Sequence, residues 1–207
     1  MIQSDKSDSY MDINKTANLL LNFTIKRLAE IFGIFISALG ALLLLALLTY
    51  SPEDPNFIFP DNTQIKNILG FQGSFISDLF FQSVGLISYL VSFTFILTGI
   101  NIFRLKEFFL LIENIFFAII YCVFGTLFFS YFYSDAFTLY INGNGGFVGN
   151  YFKQTFLTSL VEINEIISFY ILIFLILLLF LISVNFNPIK FYNSIMKILN
   201  TFFKKEE

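Results

Sequence analysis

Four stretches of this chain, residues 31–49, 79–103, 108–132 and 166–184, are each long and apolar enough for a membrane crossing, and three of them contain no charged residue. A helix needs about 20 predominantly apolar residues to cross a hydrocarbon core of roughly 30 Å. Lipid satisfies no stray backbone donor or acceptor, so such segments cross as helices or as strands of a closed barrel, and four strands close no barrel. The fold class that follows is an all-α membrane protein, a four-transmembrane-helix bundle with short interfacial helices. Composition agrees: 57% of the 207 residues are hydrophobic and 13% charged, against about 25% charged in an ordinary soluble domain.

Lys and Arg in the flanks set the orientation. Residues 1–30 form an N-terminal arm with Lys6, Lys15, Lys26 and Arg27, the connection between the second and third spans carries Arg104 and Lys106, and the tail, 185–207, carries Lys190, Lys197, Lys204 and Lys205. The other two connections carry Lys66 and Lys153. Ten basic residues against two predict that both termini are cytoplasmic and that the membrane domain, 31–184, turns its first and third connections outward. The arm is too long and polar for a cleaved signal peptide, and its first apolar run is of full spanning length, so it is expected to stay attached as a signal anchor. Residues 1–15 read as disordered, and Leu20, Phe23 and Arg27 predict a helix feeding into the first span.

Two amphipathic stripes accompany the spans. Phe152, Phe156, Leu160, Ile163 and Ile167 recur at helical spacing in the third connection, and Phe191, Ile195, Ile198 and Phe202 do so in the tail beside Lys197, Lys204 and Lys205. Each stripe either lies on the lipid surface or packs on its own bundle. Small residues that let helices approach form a seam on each of three spans: Gly33, Ser37 and Ala41; Gly85, Ser88, Ser92 and Gly99; Ala118, Cys122 and Gly125. Each seam serves packing within the chain or contact with another copy.

Chemistry is sparse. Histidine is absent and there is one cysteine, which removes His-based metal sites, haem ligation by His, Ser-His-Asp and Cys-His nucleophiles and any intrachain disulfide. No cofactor and no metal is expected. A net charge of −3 offers no basic patch for nucleic acid. The glycine run from Asn142 to Gly149 is not a phosphate loop, because Asn150 and Tyr151 follow where a Walker A loop needs Lys and then Ser or Thr. It reads as a turn-rich or re-entrant loop. Glu113 with Asn114, close to the cytoplasmic end of the third span, is the one candidate for an ion or proton path and carries the alternative reading, a small transporter or channel component. Asp78 is expected to cap the N-terminus of the second span, Gln82 to bond across helices or stabilise the loop above it, and Cys122 to pack in mid-span. The motif Ser51-Pro52-Glu53-Asp54-Pro55 stops the first helix sharply.

Taken in order, Tyr50-Ser51-Pro52-Glu53-Asp54-Pro55-Asn56-Phe57, then Asn67, Leu69-Gly70, Gly73-Ser74, Asp78, Gln82 and Gly85, and later Gly145-Gly146-Phe147-Val148-Gly149, resemble the N-terminal four-helix membrane domain of the FtsK/SpoIIIE family of bacterial DNA translocases. The resemblance covers about residues 27–184. Glu162 and Glu165 depart from it, standing before the last span where more apolar residues are expected. Membership implies a multi-pass anchor in the bacterial cytoplasmic membrane, assembled at the division septum as a homo-oligomer, a hexamer in the family, and in contact with other division proteins. The family's ATPase motor and DNA-reading module are not implied for this chain, which contains no Walker A or Walker B segment. It is expected to be a non-enzymatic anchor that binds neither ATP nor DNA directly, either as part of a longer translocase or free-standing. Its partners would be the lipid bilayer and membrane proteins of the division apparatus. The residues implied to shape loops or meet partners are Pro52, Asp54, Pro55, Asn67, Gly70, Gly73, Asp78, Gln82, Gly145, Gly146 and Gly149.

Overall fold

Apolar runs this long form helices in lipid, and the sparse Gly, Pro, Asn and Asp between them decide where each helix stops. The structure is a computed structural model that describes residues 3–55, 64–134, 141–189, 192–193 and 196–197, with backbone alone for 3–14 and 16. The elements in order are α1 (Gln3–Leu48), α2 (Gly70–Val84), a single 3₁₀ turn (Gly85–Ile87), α3 (Ser88–Leu105), α4 (Leu110–Phe132), α5 (Gly146–Lys153), α6 (Phe156–Glu162) and α7 (Glu165–Ser183). Among the described residues there is no strand. Four helical stretches have the length and apolarity of a membrane crossing: Ala17–Leu48, Gly70–Leu105, Leu110–Phe132 and Glu165–Ser183.

Three boundaries differ from the sequence reading. The arm expected to be disordered over 1–15 is helical from Gln3, because a helix nucleated in the apolar run extends backward without a second nucleation cost. The second crossing begins at Gly70 rather than 79 and is broken at Gly85, whose φ of +64° leaves the right-handed region. The amphipathic stripe of the third connection is cut in two after Lys153, where Thr155 caps α6 by accepting from the Leu157 amide at 3.4 Å. Its Phe156, Leu160, Ile163 and Ile167 are all exposed, while Val161 turns into the core. The tail residues Phe191, Ile195, Ile198 and Phe202 lie outside the described residues.

α1 packs along α3 through Ala29, Gly33, Ile36, Gly40, Leu43 and Leu47, alternating four- and three-residue steps as in a coiled-coil seam. The backbones touch: a Cβ on Gly33 would lie 2.6 Å from the Gly99 carbonyl oxygen, and one on Gly40 2.6 Å from the Ile96 amide nitrogen. Gly40 takes the place in this seam that the sequence reading assigns to Ala41, which is exposed. On the side of the termini, Glu30 accepts from Arg27 at 2.6 Å and pairs with Lys106 at 2.8 Å, tying α1 to the end of α3. Lys106 closes α3 with φ +62°, a left-handed helix end.

A second core joins α4 and α7 through Tyr121, Phe128, Leu172 and Ile176. Phe169 meets Phe128 at a tilt and Phe132 edge to face, with ring centroids 5.3 and 5.2 Å apart, distances at which aromatic pairs attract. Ile87 fills the notch over Gly125, 2.3 Å from where a Cβ would stand. Cys122 packs half-buried beside this core. Much of the excess Phe, including Phe35, Phe93, Phe116 and Phe174, points outward, where lipid is the solvent.

Candidate functional site

The loop after α1 is built around a buried carboxylate. Asp54, 3% exposed, accepts from the amides of Lys66 and Asn67, both at 2.8 Å. Asn67 turns the chain back toward α1: its Nδ2 donates to the Ala46 carbonyl at 2.9 Å, one of the carbonyls a helix end leaves free, and its Oδ1 accepts from the Leu69 amide at 3.0 Å. Gly73 is required beneath it, since a Cβ there would stand 2.2 Å from Asn67 Oδ1. Ser74 Oγ donates to the buried Pro55 carbonyl at 3.0 Å. Gly70, at φ +67°, starts α2. Pro52 and Glu53 stay exposed above this arch, where Glu53 pairs with Lys66. The pairing lowers the Glu53 carboxyl below its ordinary value and raises the Lys66 ammonium, so this surface link is present above the carboxylate range and is lost as pH falls through the depressed Glu53 value.

Asp78 does not cap a helix. It lies inside α2, 6% exposed, where its Oδ1 accepts from Tyr50 Oη at 3.1 Å and from Gln82 Nε2 at 3.4 Å. The cap expected from its position disappears because α2 begins eight residues earlier, at Gly70. Gln82 Oε1 in turn accepts from the Asn142 amide at 3.2 Å and its Nδ2 at 3.1 Å, joining the first connection to the third.

The glycine run locks into the break between α2 and α3. The Leu86 amide donates to the Asn144 carbonyl at 2.9 Å, and a Cβ on Gly85 would fall 1.9 Å from that same oxygen. Gly146, with φ +65°, faces the Ser83 carbonyl, while Gly145 and Gly149 rest on α4 at Ser130 and Thr126. Asn150 Nδ2 closes the turn on the Asn142 carbonyl at 2.8 Å. Asn144 donates to the Tyr133 carbonyl, and its buried Oδ1 has no partner among the described residues.

Asp54, Pro55, Asn67, Gly70, Gly73, Asp78, Gln82, Gly145, Gly146 and Gly149 therefore form one connected end of the bundle, with Pro52 exposed on its surface. The sequence reading misses Asn142, Ser130 and Thr126 as parts of it; the spacing of Thr126 and Ser130, one helical turn apart on α4, is the signal that pairs them with Gly145 and Gly149. Replacing Asp54 by Ala is expected to lower unfolding free energy by about 2–3 kcal/mol, because two amides lose a charged acceptor. Thermal unfolding in detergent, with Glu53→Gln as a control that changes little, checks this.

Glu113 and Asn114 are not brought together. Glu113 is exposed, whereas Asn114 is fully buried, donating to Thr98 Oγ1 at 2.8 Å and accepting from Asn185 Nδ2 at 2.9 Å. Neighbouring residues on a helix point about 100° apart, and the two side chains line no common path. No group of His, Cys, Asp or Glu able to hold a metal occurs among the described residues.

Among known proteins, the family described as the 4TM region of DNA translocase FtsK/SpoIIIE matches residues 25–196. A DNA translocase FtsK from Caulobacter vibrioides is 35% identical over 73 residues, 35% of this chain and 9% of that protein. A DNA translocase FtsK from Rhizobium meliloti is 28% identical over 85 residues, 41% of this chain and 10% of that protein. The matched stretches thus span about a tenth of these relatives. No solved structure matches the chain.

Proposed function

The chain belongs to the FtsK/SpoIIIE four-transmembrane family, and from that premise we propose that it anchors a DNA-pumping motor at the division septum and presents its outer end to other division proteins. The membrane anchor itself follows from the family and from four helices able to cross a bilayer. An even number of crossings puts both termini on one side, and the charge asymmetry assigns that side to the cytoplasm. The observation that carries the septal reading is the outer end: two connections far apart in sequence are held as one surface by the contacts from Tyr50 through Asp78 and Gln82 to Asn142, a constraint on loop shape that a bare membrane tether does not need. The role is mechanical. Tethering turns a motor's encounter with the septum into an effectively intramolecular event, and association of several copies would set motors around one pore.

A fluorescent fusion of this chain is expected to concentrate at midcell in dividing cells, and Gln82→Ala with Asn142→Ala is expected to reduce that enrichment while leaving the protein in the membrane. Even distribution around the envelope overturns the septal reading.

A further inference from the structure

α7 is held to the bundle unevenly. Of its own residues Leu172, Ile176 and Ser183 are buried, and most of its surface faces outward. Apolar contact gives little axial grip in a bilayer, where lipid tails are as apolar as Leu. The polar contacts gather at the end where the chain leaves the membrane.

There the helix closes on Asn185 at φ +50°, with its amide donating to the Ile182 carbonyl at 2.9 Å and the Phe186 amide to Leu181 at 3.0 Å. This is the two-bond left-handed stop that Gly or Asn supports. The stop aims side chains into neighbouring helices. Asn185 Nδ2 donates to Asn114 Oδ1 on α4, and Asn114 passes the contact to Thr98 on α3. Asn101 Nδ2, also on α3, donates to the Val184 carbonyl at 2.8 Å. Ser183 Oγ lies 3.4 Å from Thr94 Oγ1, which lies 2.9 Å from Tyr121 Oη. At the opposite end of α7, Tyr131 Oη donates to Glu165 at 2.9 Å, a charge that resists being drawn into hydrocarbon.

We propose that Asn101, Asn114 and Asn185 form a mechanical latch that passes a pull on the chain following α7 into α3 and α4 instead of letting α7 slide through lipid. Its value to the protein rests on the anchor reading above; the latch itself does not. Magnetic tweezers on the chain in bicelles test it, pulling from residue 207 against a handle in the loop after α1, then from residue 1 against the same handle. Asn185→Gly keeps the left-handed stop while deleting the side chain, and Asn101→Leu deletes the second bond. In the double variant the latched lifetime under a constant pull from the C-terminal end is expected to fall roughly tenfold, as the loss of two interhelical hydrogen bonds implies, with the N-terminal pull unchanged. An unchanged C-terminal lifetime overturns the latch, as does an equal loss from both ends, which would mark general destabilisation. Diffuse localisation of the fusion would overturn the septal reading and leave these lifetimes as they are.

Discussion

Replacing Gly85 by Ala is expected to destabilise the bundle by about 3–5 kcal/mol and to separate the glycine loop from the helix break. Two costs combine. The residue holds φ +64° with ψ −144°, a region open essentially to Gly alone that costs an L residue about 1–3 kcal/mol. Its new Cβ would also stand 1.9 Å from the Asn144 carbonyl oxygen and 2.5 Å from the carbonyl carbon. Those are backbone atoms, with no flexible side chain to yield, so the clash belongs at the upper end of the roughly 1–3 kcal/mol for overpacking. The Leu86–Asn144 hydrogen bond would open with it. Thermal unfolding reports the first loss; faster hydrogen exchange at the Leu86 amide, measured under conditions where α1 stays protected, reports the second. A variant as stable as the parent would mean that the break and the loop are not locked together.

The contrast between Gly85 and Asp78 shows what is legible in the sequence. Four crossings are readable because apolar length in lipid leaves the backbone one solution, and Gly85 stands out as a small residue on a packing face. Asp78 misleads because a capping role depends on where α2 begins, and apolar counting starts a crossing at the first unbroken run rather than at Gly70. The chain of contacts from Tyr50 through Asp78 and Gln82 to Asn142 joins two loops, its Gln82–Asn142 step alone spanning 60 residues, a pairing with no local period to betray it. Thr94, Thr98 and Asn101 do follow helical steps of four and three along α3, so the polar strip that meets α7 is visible in principle. Glu113 draws attention because it carries charge, while Asn114, uncharged beside it, makes the buried contacts.

Substituting Gly99→Val is expected to lower stability by about 3 kcal/mol or more, at the upper end of overpacking costs, and to loosen α1 along its length. A Cβ at Gly99 alone would lie 2.3 Å from the Ser37 amide nitrogen and 2.5 Å from the Gly33 carbonyl oxygen, so neither helix can yield without moving as a body. A small shift of α1 propagates, since Gly33 and Gly40 make equally close approaches to α3 on either side and packing across a small-residue seam weakens steeply with distance. The Glu30–Lys106 pair at the end of the seam is expected to open as well. Thermal unfolding in detergent measures the loss. Ala41→Val, on the exposed face of α1 one turn from Ser37, supplies the comparison: with lipid in place of a backbone beside it, the added methyls should change stability little. Equal effects at the two positions would mean that α1 and α3 are not held by contact between their glycines.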